Sequence, residues 1–181
     1  GLAAAVVFAV SVWRSPDPFD QFVQQRYPRQ RIVWREEGIE STVVVHEARN
    51  GELSLTVNGS HQASTGRAMV ASHRVIGHLP MALHPAARTA LVIGLGGGAT
   101  AGAVSVHDGV DVDVVELARA VARSAHYFDE VNYQVLSRPN VHLRIDDGRN
   151  YLMLTRRKYD VVTADVIIPI FAGSGNLYSA E

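Results

Sequence analysis

Four groups at the ends of apolar, β-branched runs could together hold a nucleoside. The first is a glycine cluster in TALVIGLGGGATAG (89–102), made by Gly94, Gly96, Gly97 and Gly98. Glycine lets backbone approach a ligand closely, and the first amides of a following helix are free to donate. The second is Glu116, 22 positions after Gly94. That is near the spacing of about 20 at which an acid accepts hydrogen bonds from ribose hydroxyls. The third is Asp146-Asp147-Gly148, where an acid suits an adenine amino group, and the fourth is Asp165. A glycine-rich turn also serves as a plain strand–helix joint, and Glu116 and Asp147 could act as helix N-caps. The spacing here is G-x-G-x-G rather than the dinucleotide G-x-G-x-x-G, and no P-loop lysine follows. Together these marks favour an S-adenosyl sulfonium nucleoside over NAD or a triphosphate. A cationic ligand also suits an acidic cluster.

The elements that must position these groups alternate. TALVIG, VDVDVVE, VHLRID and YDVVTAD read as strands. ATAGAVSVH, LARAVARSAHYF and GRNYLMLT read as the helices between them. Such alternation builds an α/β parallel sheet, and ligands bind beyond the carboxyl ends of its strands. Residues 66–84 read as a further helix, with Ala68, Val75, Ile76, Leu79 and Leu83 on its apolar side. Residues 31–64 read as a small antiparallel sheet. Asn50-Gly51 and Asn58-Gly59 are strong hairpin turns there, since Asn-Gly tolerates the positive φ of a type I′ turn. The two prolines of RSPDPFD (14–20) mark a linker, taken as 14–30.

With 181 residues and 47% hydrophobic residues, the chain can bury a real core. A formal charge of −1 gives no basic excess for nucleic acid, and without cysteine there is no disulfide, thiolate metal site or thiol nucleophile. His73, His78 and His84 stand five and six apart, a poor metal spacing, so no metal is expected. Residues 1–13 are almost wholly apolar, with Arg14, Arg26, Arg29, Arg31 and Arg35 beyond. They read as the cytoplasmic end of a transmembrane helix, so this domain is expected to face the cytoplasm.

In this order the segments GELSLTVNGSHQ, GHLPMALHP, ALVIGLGGGAT, VDVVE, IDDGRNYL and YDVVTAD resemble the polyamine aminopropyltransferases, the spermidine synthase family. With the apolar start, the resemblance is to members fused to a membrane segment. It implies a Rossmann-like, S-adenosylmethionine-methyltransferase-type domain over 67–181, preceded by a small β domain over 31–66. It implies transfer of an aminopropyl group from an adenosyl sulfonium, decarboxylated S-adenosylmethionine, to a small amine, with no tightly bound cofactor and with a homodimer as the assembly. Gln62, Gly94, Gly96, Gly98, Glu116, Asp147 and Gly148 would hold the donor. His78 would line the amine end, and Asp165 would be the catalytic acid that takes a proton from the attacking amine.

The sequence departs from that family on the acceptor side. Ala99 stands where an acid is expected to hold the donor's ammonium. Ile168 replaces a second acid, Ala172 a proline, Ser72 a tyrosine and Arg74 an acid. These changes point to a less cationic acceptor, or to S-adenosylmethionine itself as donor. A methyltransferase on the same fold and a non-catalytic nucleoside or polyamine sensor attached to a membrane transporter are the competing readings.

Overall fold

The computed structural model describes residues 17–164. Residues 1–13, Asp165, Ile168 and Ala172 therefore lie outside the described residues. Among the described residues no helix is long and apolar enough to cross a membrane.

The segment read as a linker carries a helix, α1 (Pro18–Arg26). Asp17 caps it, its carboxylate accepting from Phe19 N at 2.7 Å. Pro18 is not a breaker here, because it fills a first-turn position whose N–H would have no intrahelical partner. Arg35 ties the helix to the sheet through Asp20 at 2.5 Å and Asp17 at 3.1 Å. Its one buried residue, Val23, faces inward, and Tyr27 just beyond donates to Gly59 O at 3.1 Å.

The antiparallel sheet runs in the order β1 (Gln30–Glu37), β2 (Thr42–Ala48), β3 (Leu53–Val57) and β4 (Ser60–Ser64). Asn58 and Gly59 both take positive φ, 50° and 76°, as a type I′ turn requires. The Asn50-Gly51 turn differs from expectation: only Gly51 is left-handed, at 81°, and Gly51 N donates to Ala48 O. The longer loop there admits a type I turn closed by a left-handed glycine. All of Val43 to His46 are buried, because β2 is covered on both faces.

The second sheet is parallel, in the order β7 (Val141–Ile145), β6 (Asp111–Glu116), β5 (Thr89–Ile93) and β8 (Val161–Ala164). Helix α2 (Arg67–Leu83) enters it, α3 (Ala99–Ser105) and α4 (Arg119–Ser124) follow β5 and β6, and α6 (Gly148–Leu154) follows β7. Between α4 and β7 lie a 3₁₀ turn (Ala125–Phe128), the short α5 (Asp129–Asn132) and a second 3₁₀ turn (Val135–Ser137). One core spans both sheets, joining Val43, Val45, Leu55 and Ala63 to Val92, Val112, Val114 and Phe128.

Helix α2 packs by a face other than the expected one. Val75, Leu79 and Leu83 are 58%, 55% and 78% exposed and Ala68 is exposed, whereas Val70, Gly77 and Met81 are buried. A Cβ on Gly77 would stand 2.5 Å from Thr100 O and 2.7 Å from Ala103 Cβ. The helices approach so closely that the contact selects small residues rather than large apolar ones.

On the opposite face of the parallel sheet, Leu91, Ile93 and Val115 pack with Tyr151 and Tyr159 around a buried acid. Asp113 is 0% exposed and pairs with Arg157 at 3.0 Å and Arg144 at 3.4 Å. Tyr151 and Tyr159 both donate to it. Burial, followed by the bond to that carboxylate, holds the Tyr159 hydroxyl protonated beyond the usual tyrosine range.

Candidate nucleoside site

The parallel strands β5, β6 and β7 end side by side, and their ends carry three of the expected groups. Beyond β5 the chain turns through Gly94, Gly96 and Gly98 with φ of 86°, 52° and 81°. A side chain in that left-handed region is strained, so the turn needs glycine. Nothing lies within 4 Å of where a Cβ would stand on Gly94 or Gly96. Gly97 is the reverse case: a Cβ there would stand 3.0 Å from Ala63 Cβ and 3.3 Å from Phe128 Cδ1. The turn is open on one side and pressed against β4 on the other.

Glu116, the last residue of β6, reaches back to this turn. Leu95 N donates to its Oε2 at 2.8 Å and Ala118 N to its Oε1 at 2.9 Å. Burial pushes the carboxyl up from its usual range, and the amides of Ala118, Leu95, Gly96 and Leu117 pull it back. The residue both holds the backbone turn and presents a carboxylate with lone pairs left for hydroxyl donors.

The end of β7 lies beside Glu116, with Asp146 N donating to Glu116 O at 3.1 Å. Asp147 caps α6, accepting from Asn150 N at 2.9 Å. A Cβ on Gly148 would stand 2.5 Å from Ile93 Cγ2. Gly148 is therefore required for α6 to start over the end of β5, which brings Asp147 toward the glycine turn.

Gln62 arrives from the other sheet. Leu55 pairs with Ala63 and Thr56 with His61, which leaves Gln62 as the extra residue of a β-bulge. Bulges re-aim a side chain out of the regular alternation. Gln62 is exposed and adjacent to Ala63, the residue that touches the turn. His61, next in the strand, has its pKa lowered by burial, opposed by Glu52 and aided by His73. His61, Glu52 and His73 are thus near enough to influence one another's charge.

Two expected residues do not join the cluster. His78 Nδ1 is hydrogen-bonded to His107 Nε2 at 3.0 Å. His107 lies where α3 leads down to the amino end of β6, the end of the sheet opposite Glu116. Arg74 is committed to α5: its guanidinium donates to Val131 O at 2.9 Å and lies 4.4 Å from the centre of the Tyr133 ring. It bonds between helices, so its charge does not argue for a less cationic acceptor. Ala99 is buried as the first residue of α3, and Asp165 follows β8 outside the described residues. Sequence reasoning missed Asn132, a buried amide bonded to Gly97 O at 3.1 Å; a polar residue within the helix-and-turn run 119–137 was its only signal.

Residues 69–181 match the spermine/spermidine synthase domain family. The chain is 30% identical over 158 residues to a polyamine aminopropyltransferase of Serratia proteamaculans, covering 86% of this chain and 55% of the relative. It is 31% identical over 146 residues to one of Methanocaldococcus jannaschii, covering 80% and 49%. The chain thus spans about half the length of these curated relatives. In fold it is similar to a crystal structure of a spermidine synthase in complex with the transition state analogue AdoDATO. The TM-score is 0.73 at 23% identity, over 82% of this chain and 51% of that one. It is also similar to the spermidine synthase of Thermotoga maritima, with a TM-score of 0.67 at 23% identity, over 75% and 46%.

Proposed function

The chain belongs to the spermine/spermidine synthase family, and from that premise we propose that it carries the nucleoside half of an aminopropyltransferase. The donor is an adenosyl sulfonium, decarboxylated S-adenosylmethionine, and the acceptor a small amine. The observation that carries the reading is the Glu116 carboxylate, bound to the Leu95 amide of the glycine turn at 2.8 Å and set beside Asp146-Asp147. Ribose hydroxyls donate to Glu116, and the adenine amino group donates to Asp147. Gly94 and Gly96 leave room for the nucleoside, and Gln62 closes over it from the bulge. The side-by-side ends of β5, β6 and β7 support this reading, since ligands of such sheets bind beyond the strands' carboxyl ends.

The reaction is a displacement at carbon. The amine nitrogen forms a bond to the methylene beside sulfur as the carbon–sulfur bond breaks. The bonding pair stays on sulfur, which leaves as the neutral thioether of methylthioadenosine. An alkyl amine is mostly protonated at neutral pH, so a base must free its lone pair. We assign that proton to the Asp165 carboxylate, which directly follows β8. The sulfonium is already a good leaving group and needs no acid.

The deciding experiment gives the chain decarboxylated S-adenosylmethionine with a panel of diamines and measures methylthioadenosine release. Release that disappears in Asp165→Asn, with methylthioadenosine binding retained, supports the assignment. Formation of S-adenosylhomocysteine from S-adenosylmethionine would instead mean that a methyl group is moved.

A further inference from the structure

Asn132 is fully buried and takes no part in the chemistry above. Its side chain bonds to backbone on three stretches. Nδ2 donates to Gly97 O at 3.1 Å and to Ala125 O at 3.0 Å, and Oδ1 accepts from Val135 N at 3.3 Å. One amide therefore joins the glycine turn to the 3₁₀ turns on either side of α5.

The chain around Asn132 is held in an unusual shape. Tyr133 and Gln134 are consecutive non-glycine residues with φ of 61° and 53°. Such backbone persists only where its surroundings over-determine it. Here Arg74 bonds Val131 O from α2 and lies over Tyr133. Gly102 lets the Asn132 carbonyl approach α3 so closely that any Cβ at 102 would overlap it. A Cβ on Gly98 would stand 3.0 Å from Asn132 Nδ2.

The glycine turn has the opposite character. Four of its five residues, Gly94 to Gly98, lack side chains, and two of them touch nothing on the Cβ side. Glycine has the most backbone freedom to lose, so the turn cannot hold one conformation by its own sterics. We propose that Asn132 is the positioning residue of this turn: by holding the Gly97 carbonyl it fixes the rotation that aims the Leu95 amide at Glu116. It acts through the turn and touches no reacting atom.

The test is amide hydrogen exchange on the chain with Asn132→Asp and Asn132→Ala. Aspartate keeps an acceptor for Val135 N but cannot donate to Gly97 O. The Leu95 amide is expected to exchange at least about tenfold faster in both variants, relative to Val92 in the middle of β5. Val135 is expected to loosen in Asn132→Ala alone. Leu95 and Val92 changing in step, as a plain packing role requires, would overturn the proposal; so would an unchanged Leu95. If neither variant folds, the unaltered chain decides: a scalar coupling across the Asn132 Nδ2–Gly97 carbonyl bond is expected, and rapid solvent exchange of both Asn132 side-chain amide protons overturns it. A second arm titrates methylthioadenosine, expecting about tenfold weaker binding in Asn132→Asp. That arm rests on the nucleoside reading and the exchange arm does not. A chain that binds no nucleoside thus overturns the reading while Leu95 still judges Asn132.

Discussion

Glu116 Oε2 and the Leu95 amide are 2.8 Å apart, so the residue that ends β6 also fastens the turn that follows β5. Burial, the largest influence, raises the Glu116 pKa. A carboxylate whose folded pKa lies above its unfolded value is costlier to bury when ionised. That cost is absent below the unfolded pKa and grows as pH rises through the folded one. The proposed ribose contact has the opposite sign, because hydroxyls donate more strongly to an ionised carboxylate. Glu116→Gln is expected to weaken methylthioadenosine binding by about 10- to 100-fold at neutral pH, the worth of one or two charged hydrogen bonds. A glutamine amide can accept from only one of Leu95 N and Ala118 N, so folding stability is expected to fall by about 1–3 kcal/mol. Calorimetry and urea denaturation on one preparation check both signs.

Asp113 governs the other face of the sheet. It pairs with Arg157 at 3.0 Å and Arg144 at 3.4 Å; its removal leaves Arg157 with Asp111 and deprives Arg144, Tyr151 and Tyr159 of a shared acceptor. Asp113→Ala is expected to cost about 1–3 kcal/mol in urea unfolding, the worth of a charged hydrogen-bond acceptor removed from buried donors. Removing Asp113 and Arg157 together is expected to cost less than the sum of the two single changes. Additive losses would show that the two do not act as a pair.

His46 makes the small sheet sensitive to acid. It is buried, bonded through Nε2 to Thr56 Oγ1 at 2.9 Å and set 4.9 Å from the Tyr27 ring. Burial, with His61 nearby, lowers its pKa below 6.5. A lowered folded pKa means that stability is whole above the unfolded value and is lost as pH falls through the folded one. The melting temperature is expected to drop as pH falls below about 6.5, and less so in His46→Leu. Parallel curves for the two proteins would remove His46 as the cause.

Ala99 is the departure closest to the donor's reacting end in the resemblance, and it begins α3 as a buried residue. Ala99→Asp would place a carboxylate where the first turn of the helix favours one. The KM for the decarboxylated donor is expected to fall about tenfold, the worth of one charge-assisted hydrogen bond. An unchanged KM would mean that Ala99 does not face the donor's amine.

Much of this was legible in the sequence because strand ends are marked by residue type. The apolar runs into Gly94, Glu116 and Asp146 fixed the parallel strands, and Asn58-Gly59 fixed a turn by its conformational tolerance. What escaped depends on distances that a pattern does not encode. Apolar spacing put Val75 and Leu79 inward, but the close approach at Gly77 rotates α2 so that small residues make the contact. Gln62 and His61 read alike in SHQ, and only the bulge in the β3–β4 register distinguishes the side chain that leaves the alternation. Arg74 reads as a pocket charge, whereas its guanidinium bonds Val131 O; His78 reads as a pocket residue, and its ring is bonded to His107. Which neighbour a helical face meets is a distance that the residue pattern does not carry.

Gly97 and Ala63 face each other across the boundary between the two sheets, where a Cβ on Gly97 would stand 3.0 Å from that of Ala63 and crowd it. The hairpin sheet is therefore a wall of the glycine turn rather than an appendage beside it. Whatever binds the turn also adheres the sheets to each other. A saturating nucleoside at about 100 times its Kd would add about 2.7 kcal/mol to the stability of both sheets together. Their melting would merge into one transition even if the unliganded sheets came apart separately. Exchanging the hairpin sheet for a foreign one would thus be felt first as lost affinity for the ligand.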